Sequence, residues 1–212
     1  MSEVSKKQRK VLIENTIKGL ADRNMEGFYA EDKDEALGIC KKLLEGCKTV
    51  SCGGTMTMGE MGLDKELRSG KYDFIDREVA KTPEDVRAVM IKAYDADAYI
   101  GSVNAMTVDG ILVNIDGNSN RVSAYAFGPK KLILIVGVQK ITSDLDSAMK
   151  RARNVAAPMN CTRLNRQTPC VNTGKCVDCK SPDTICCQFL ITRYSRHKDR
   201  IKVIIVNEEI GY

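Results

Sequence analysis

A layered α/β sheet with helices on both faces is the fold class this sequence predicts, and three observations predict it. Strand-like and helix-like segments alternate through the first 155 residues, the pattern of a sheet covered by helices. The run KLILIVGV is nearly all apolar, as a central strand buried on both faces must be. The β-like run KTVSC passes through GGTMTMGEMGL directly into a helix-like segment, a strand–loop–helix unit of the kind such sheets repeat.

The elements follow in order. Residues 4–27 carry Val4, Leu12, Ile13, Ile17 and Leu20 near helical spacing, with Gly27 as a stop. A second helix is predicted over 33–44, capped by Asp32 and ended by Gly46. KTVSC is a strand, 57–68 a helix and YDFID a strand. TPEDVRAVMIKAY opens with Thr82 as cap, Pro83 at the first position and Asp85 closing a capping box. DAYIGS is a strand. ILVNID and RVSAYAF flank GNSN and predict a hairpin. A helix begins at Thr142 or Ser143 and ends before Pro158. Residues 160–188 lack sustained periodicity, and QFLITRY and IKVIIVN close the chain as a strand pair. The predicted organisation is an N-terminal helix (1–30), an α/β core (31–158), a cysteine-rich segment (159–190) and C-terminal strands completing the core (191–212).

The 212 residues suffice for a sizeable core without cross-links. An apolar share of 43% beside 29% charged residues argues against disorder. No run approaches the roughly 18 apolar residues that cross a bilayer, and the N-terminus has no apolar signal region, so no membrane association and a cytoplasmic location are expected. The net charge of +5 is spread among acidic residues, aromatics make up 5% and there is no Trp. Nucleic acid is therefore not an expected partner. A single histidine, His197, excludes any site built on two or more histidines of one chain.

Three segments carry chemistry. In the first, Gly53, Gly54, Thr55 and Thr57 join a strand to a helix, where glycines permit close backbone approach and hydroxyls can donate to an anion. The loop lacks both the Walker A and the dinucleotide-fingerprint spacing, and a plain strand-to-helix turn is an equal reading of it. The second is VNAMTVDGILVNIDGNSNRV, which gathers Asn104, Thr107, Asp109, Asp116, Asn118 and Arg121 beyond a strand's carboxyl end, where α/β sheets bind ligands. Asp109 and Asp116 could do acid–base work there, with Arg121 and Lys140 adding positive charge; two turns bracketing a strand are the plainer reading. The third is the cysteine cluster: Cys170, Cys176, Cys179, Cys186 and Cys187, with Cys161 upstream. Cys176-x-x-Cys179 is a knuckle whose two thiolates can reach one metal centre. Disulfides are disfavoured in a reducing compartment, free thiols are a second alternative, and zinc or an iron–sulfur cluster is preferred, with a lean toward [4Fe–4S]. Cys40, Cys47 and Cys52 read as core residues.

Several stretches, VSCGGTMTMGEMGL, NAMTVDGILVNIDGNSNRVSAYAFGPKKLILIVGVQKI, RARNVAAPMN, TPCVNTGKCVDC and IKVIIVNEEIGY, resemble the LUD domain associated with bacterial lactate utilisation. The resemblance runs from about residue 10 to 212, and the cysteine segment looks like that of short stand-alone members. It implies a fold similar to the ribose-phosphate isomerase and CoA-transferase group, with Gly53, Gly54, Thr55 and Thr57 lining a phosphate or acyl-carrier site. Thr107-x-Asp109-Gly110 would form a second wall, with Thr107, Asp109 and Asp116 as the catalytic candidates and Asn104, Asn118 and Arg121 as ligand-binding ones. The paired-acid run of the isomerases and the nucleophilic glutamate of the transferases are not found, so those activities are not carried over. The resemblance implies a small anionic metabolite, a redox-protein partner and a role in organic-acid utilisation. The alternative is a non-catalytic iron–sulfur or zinc accessory subunit. A homodimer is the expected assembly, from the general frequency of dimers.

Overall fold

Along the strand Lys131–Gly137, Leu132, Leu134 and Val136 belong to one apolar cluster, and Ile133 and Ile135 to another. That alternation is the period-2 geometry of a strand, and it requires a cover on each face. The computed structural model describes residues 3–212 and supplies both covers. In chain order the elements are α1 (Glu3–Asp22), β1 (Glu26–Ala30), α2 (Lys33–Leu43), β2 (Thr49–Cys52), α3 (Met56–Glu60), α4 (Leu63–Leu67) and β3 (Asp73–Ile75). Then come α5 (Pro83–Ala93), β4 (Ala98–Gly101), β5 (Ala105–Thr107), β6 (Leu112–Asp116), α6 (Asn120–Ala126) and β7 (Lys131–Gly137). Last are β8 (Ile141–Thr142), α7 (Leu145–Arg151), α8 (Ala157–Arg163), α9 (Pro169–Thr173), β9 (Gln188–Thr192) and β10 (Ile201–Val206).

Six strands form one parallel sheet in the order β1-β10-β7-β4-β2-β3. Ile13 and Leu20 of α1, Ala93 of α5 and Tyr125 of α6 pack on one face. Ala36 and Cys40 of α2, with Met58 of α3 and Leu63 and Leu67 of α4, pack on the other. A smaller sheet, β8-β5-β6-β9, stands beside it, and its Ala105, Val113 and Ile115 pack against Ala148 of α7. The predicted fold class is present.

Local signals set several boundaries. Asp32 accepts from the backbone N–H groups of Asp34 and Glu35 at the start of α2. Thr82 and Asp85 form the capping box of α5 around Pro83. Cys40 is buried, and Cys47 and Cys52 pack beside the same core.

Five expectations need correcting. The first helix ends at Asp22; residues 26–30 pair with β10 as an edge strand of the large sheet, a contact made across the whole chain. The helix expected over 57–68 is two short helices broken at Gly62, whose φ of +67° interrupts the helical backbone. RVSAYAF is no hairpin strand but α6. Val122, Ala124 and Tyr125 turn inward, and the Asp116 carboxylate receives the N–H groups of Arg121 and Val122. The helix expected to stop before Pro158 runs through it: residues 152–156 form a π turn and α8 follows from Ala157 with Pro158 at its second position, the wider turn lying just where a proline ring would crowd the carbonyl of an ordinary α-helix. The last two strands do not pair with each other. β9 joins β6 in the small sheet and β10 joins β7 and β1 in the large one.

Candidate functional site

A cleft of about 400 Å³ opens where the two sheets meet. Its large-sheet residues all follow carboxyl ends of strands: Gly53 and Gly54 after β2, Arg77 after β3, Ser102 after β4, Lys140 after β7 and Tyr212 after β10. A parallel sheet presents its loops to ligands at that end. The small sheet contributes Asn104, Ile115, Asp116 and the turn beyond β6. Arg163 comes from α8, and Arg166, Asp183 and Ile185 come from the cysteine-rich segment.

Arg121 is the organising side chain. Its guanidinium donates to the carbonyls of Ser102 (3.3 Å) and Ile115 (2.5 Å) and to the side-chain oxygens of Asn114 (3.2 Å) and Asn104 (3.1 Å). One side chain thereby links β4, β6 and α6. Asp116 accepts the backbone N–H groups of Asn118, Ser119, Arg121 and Val122, each at 3.1 Å. Four such bonds commit the carboxylate to holding the turn, in which Ser119 takes a φ of +63°. Asp116 is thus placed as a positioning residue at the cleft wall.

The loop glycines have an arginine job. A Cβ on Gly54 would run into the Arg77 guanidinium, and one on Gly53 would press on the aliphatic part of Arg121. Their bareness lets two cationic side chains lie across the backbone. Among the described residues, neither Arg77 nor Arg163 has a carboxylate within 4.0 Å, whereas Arg121 has Asp116 at 3.7 Å and Arg166 has Asp183 at 3.0 Å.

Lys140 is 1% exposed. Its Nζ donates to Ser102 Oγ at 3.0 Å, and no carboxylate lies within ion-pair reach among the described residues. Lys202, the other buried lysine, does have one, Glu26 at 2.5 Å. Burial, with help from Arg151 and Arg121 and against Glu60, pushes the Lys140 ammonium down to about 7.

Of the residues singled out from the sequence, the cleft brings together Gly53, Gly54, Thr55, Asn104, Asp116, Asn118 and Arg121. Thr57 does not line it: the side chain is buried and its Oγ1 has no partner. Thr107 and Asp109 do not line it either. The Thr107 hydroxyl donates to the Asp109 carboxylate and receives the Ile111 N–H at 2.9 Å, and Asp109 is ion-paired with Arg23 just beyond α1. The Thr107 hydrogen bond, then Arg23, hold the Asp109 carboxyl below its ordinary range. This pair clamps α1 to the small sheet, outside the cleft. Sequence reasoning passed over Ser102, Arg77 and Arg163. Arg77 sits in an ordinary charged stretch and Ser102 in a plain strand end, so neither carried a local signal. Lys140 did, as a cation at the close of an apolar run.

The cysteine-rich segment folds back on α8. Cys161 is buried, and its thiol is pushed up by burial and then by neighbouring Cys170 and Cys179, against a hydrogen bond from Thr168. The Cys186 thiol is pushed up to about 11 by burial and by Cys161, Cys176 and Cys170. Arg153 donates to Cys176 Sγ at 3.5 Å, as does the Asp178 N–H at 3.4 Å. Cys161, Cys170, Cys176, Cys179 and Cys186 therefore share one neighbourhood. Cys187 is exposed, with its thiol toward the Thr184 carbonyl at 3.7 Å. The thiols are neighbours without being a finished coordination site: among the described residues, no group of three or more His, Cys, Asp or Glu side chains is arranged to hold a metal ion. No described helix is long and apolar enough to cross a membrane.

The chain's fold is similar to that of a crystal structure of a DUF162 family protein from Deinococcus radiodurans. The TM-score is 0.55 at 14% identity, over 93% of this chain and 98% of that one. No curated protein matches the chain. The LUD domain profile matches residues 13–206, nearly the whole sequence. With that match, the large parallel sheet and its strand-end cleft in place, the chain belongs to the LUD domain family.

Proposed function

We propose that this LUD-domain protein binds a small anionic metabolite, a carboxylate or a phosphate, in the cleft and serves organic-acid utilisation of the lactate type. The observation that carries this reading is the charge of the cleft. Arg77, Arg121, Arg163 and Arg166 line it against Asp116 and Asp183, and the Asp116 carboxylate is taken up by backbone N–H groups. Arg77 and Arg163 lack carboxylate partners among the described residues. A guanidinium forks onto a carboxylate or phosphate with two parallel hydrogen bonds. Asn104 and Asn118 add polar contacts, and Thr55 stands at the loop edge.

Titration calorimetry with L-lactate and with inorganic phosphate tests it. The wild type should bind at least one of them, and Arg77→Ala should weaken binding by about 10-fold or more, the scale of one charge-assisted hydrogen bond. No heat from either anion with the wild type, or unchanged binding by Arg77→Ala, would remove the reading.

The thiol neighbourhood favours a second feature. Five cysteines and no histidine form a donor set suited to an iron–sulfur cluster or to zinc. Cys170, Cys176, Cys179 and Cys186 would hold it, with Cys161 better placed than Cys187 to join them. A cluster would supply one-electron transfer, and with it a redox partner; zinc would staple the segment that walls the cleft. Anaerobic purification with metal analysis and an absorbance spectrum separates these. Iron with visible absorbance supports the cluster, zinc in colourless protein supports the staple, and no metal removes both.

A further inference from the structure

Ser102 lies immediately beyond the carboxyl end of β4, and its backbone is clamped. The Tyr125 hydroxyl donates to its carbonyl at 2.9 Å and receives its N–H at 3.1 Å, and Arg121 donates to the same carbonyl. Gly101, just before it, has no space for a side chain because a Cβ would meet the Tyr125 hydroxyl. The Ser102 hydroxyl has Lys140 Nζ as its hydrogen-bond partner, and Lys140 has Ser102 Oγ as its own. Both line the cleft, Ser102 at 6% exposure and Lys140 at 1%, so the hydroxyl is the group presented and the amine stands behind it.

We propose that Ser102 and Lys140 form a nucleophile–base pair that cleaves an activated acyl compound, an ester or thioester of an anionic acid; the proposal rests on the anion-binding reading of the cleft. A serine becomes a nucleophile when a base accepts its proton at hydrogen-bond distance and a rigid frame aims it, and serine–lysine pairs are one solution to that requirement. Ser102 Oγ bonds to the acyl carbon while its proton passes to the neutral Lys140 amine. The bond from acyl carbon to the leaving oxygen or sulfur breaks, and the leaving group takes the proton from Lys140. Water then adds to the acyl carbon, giving a proton to Lys140. The Oγ–carbon bond breaks, the proton returns to Ser102 and the free acid departs.

Lys140 is suited to this because, among the described residues, no carboxylate lies within ion-pair distance of its amine. Burial disfavours the ammonium most; Arg151 from α7 adds to this, Glu60 from α3 opposes it, and Arg121 from α6 adds a smaller push in the same direction as Arg151. Its amine is therefore substantially neutral near pH 7, where a lysine in water would be protonated.

The test is labelling with an alkyl fluorophosphonate, in which Ser102 Oγ would bond to phosphorus as fluoride leaves, followed by peptide mass mapping. The expected adduct is on Ser102, formed at a rate that rises with pH about a midpoint near 7. Ser102→Ala should abolish it, and Lys140→Met should slow it by about 100-fold or more. Lys140→Gln replaces Lys140→Met if thermal melting shows the latter unfolded. Absence of a Ser102 adduct in the wild type, or labelling of the lysine variants at the wild-type rate, overturns the pair. So does an adduct on Lys140 after borohydride reduction with pyruvate, which would make the amine itself the nucleophile. Calorimetry with phosphate and lactate on the same samples keeps the two readings apart. Anion binding without labelling overturns the pair and leaves the cleft reading intact. Labelling without anion binding does the reverse.

Discussion

Gly54 has a specific task at the cleft: it is bare so that the Arg77 guanidinium can lie on its backbone. Since the obstructing atoms are the end of a flexible side chain, Gly54→Ala should leave the melting temperature nearly unchanged while Arg77 moves aside. Calorimetric affinity for the anion should fall toward that of Arg77→Ala, and wild-type affinity in Gly54→Ala would show that Arg77 is not held for binding. Gly101 is the opposite case. A Cβ there lands on the Tyr125 hydroxyl, between buried elements, so Gly101→Ala should destabilise by about 1–3 kcal/mol, read by denaturant unfolding. Among the cysteines, burial and mutual contact separate Cys161 from Cys187. Cys179→Ser and Cys161→Ser should lower the metal content of anaerobically purified protein, and Cys187→Ser should leave it at the wild-type level. The reverse order would sink the ligand set given above.

At the scale of elements, the start of the sheet is fastened by one carboxylate. Asp97, just before β4, accepts the backbone N–H groups of Lys48 (2.9 Å) and Thr49 (3.1 Å) at the start of β2, and Lys130 beside β7 at 3.2 Å. The Thr49 and Lys48 N–H groups, then Lys130, hold its carboxyl far below the usual carboxylate range. A group whose folded value is depressed contributes stability above its unfolded value of 3.8, and loses it as pH falls through the folded value. Asp97→Asn should therefore lower the melting temperature at pH 7, and the gap to wild type should narrow as pH drops below about 4. A gap that is constant with pH would mean that the carboxylate charge is not what fastens these strands. The central strand β7 makes the complementary point: Ile135, fully buried, should cost about 2–5 kcal/mol on truncation to Ala.

For the whole molecule, Lys140 sets a pH dependence of the same sense in a higher pH range. Its folded value lies near 7 and its unfolded value near 10.5, so between these the unfolded chain binds more protons and stability rises with pH. The slope approaches about 1.4 kcal/mol per pH unit for one fully coupled group. Below pH 7 both states carry the proton and the penalty of the buried charge is constant. Melting curves of Lys140→Met should lie above wild type at pH 6 and converge with it toward pH 10. Parallel curves would show that Lys140 is not held neutral.

Much of this molecule is legible from local pattern. The apolar run of β7, the Thr82–Pro83–Asp85 start of α5 and the Asp32 cap are short-range effects, and the glycine loop marks a strand-end site because close backbone approach needs glycine. Among the cysteines, Cys161 is buried on α8 while Cys187 is exposed, a difference that the spacing of the segment does not carry. The strand status of residues 26–30 depends on β10, nearly the length of the chain away. The helical state of RVSAYAF depends on the Asp116 carboxylate and on a core for Tyr125 to enter. The residues of the cleft come from five different strand ends of the large sheet, so Arg77, Ser102 and Lys140 become neighbours only when that sheet has assembled. Asp109, expected near a ligand from its position beyond a strand's carboxyl end, is ion-paired instead with Arg23 of the N-terminal segment. Periodicity and capping report what one stretch of chain prefers by itself; which side chains meet across a cleft is set by strand order and by the burial that strand order imposes.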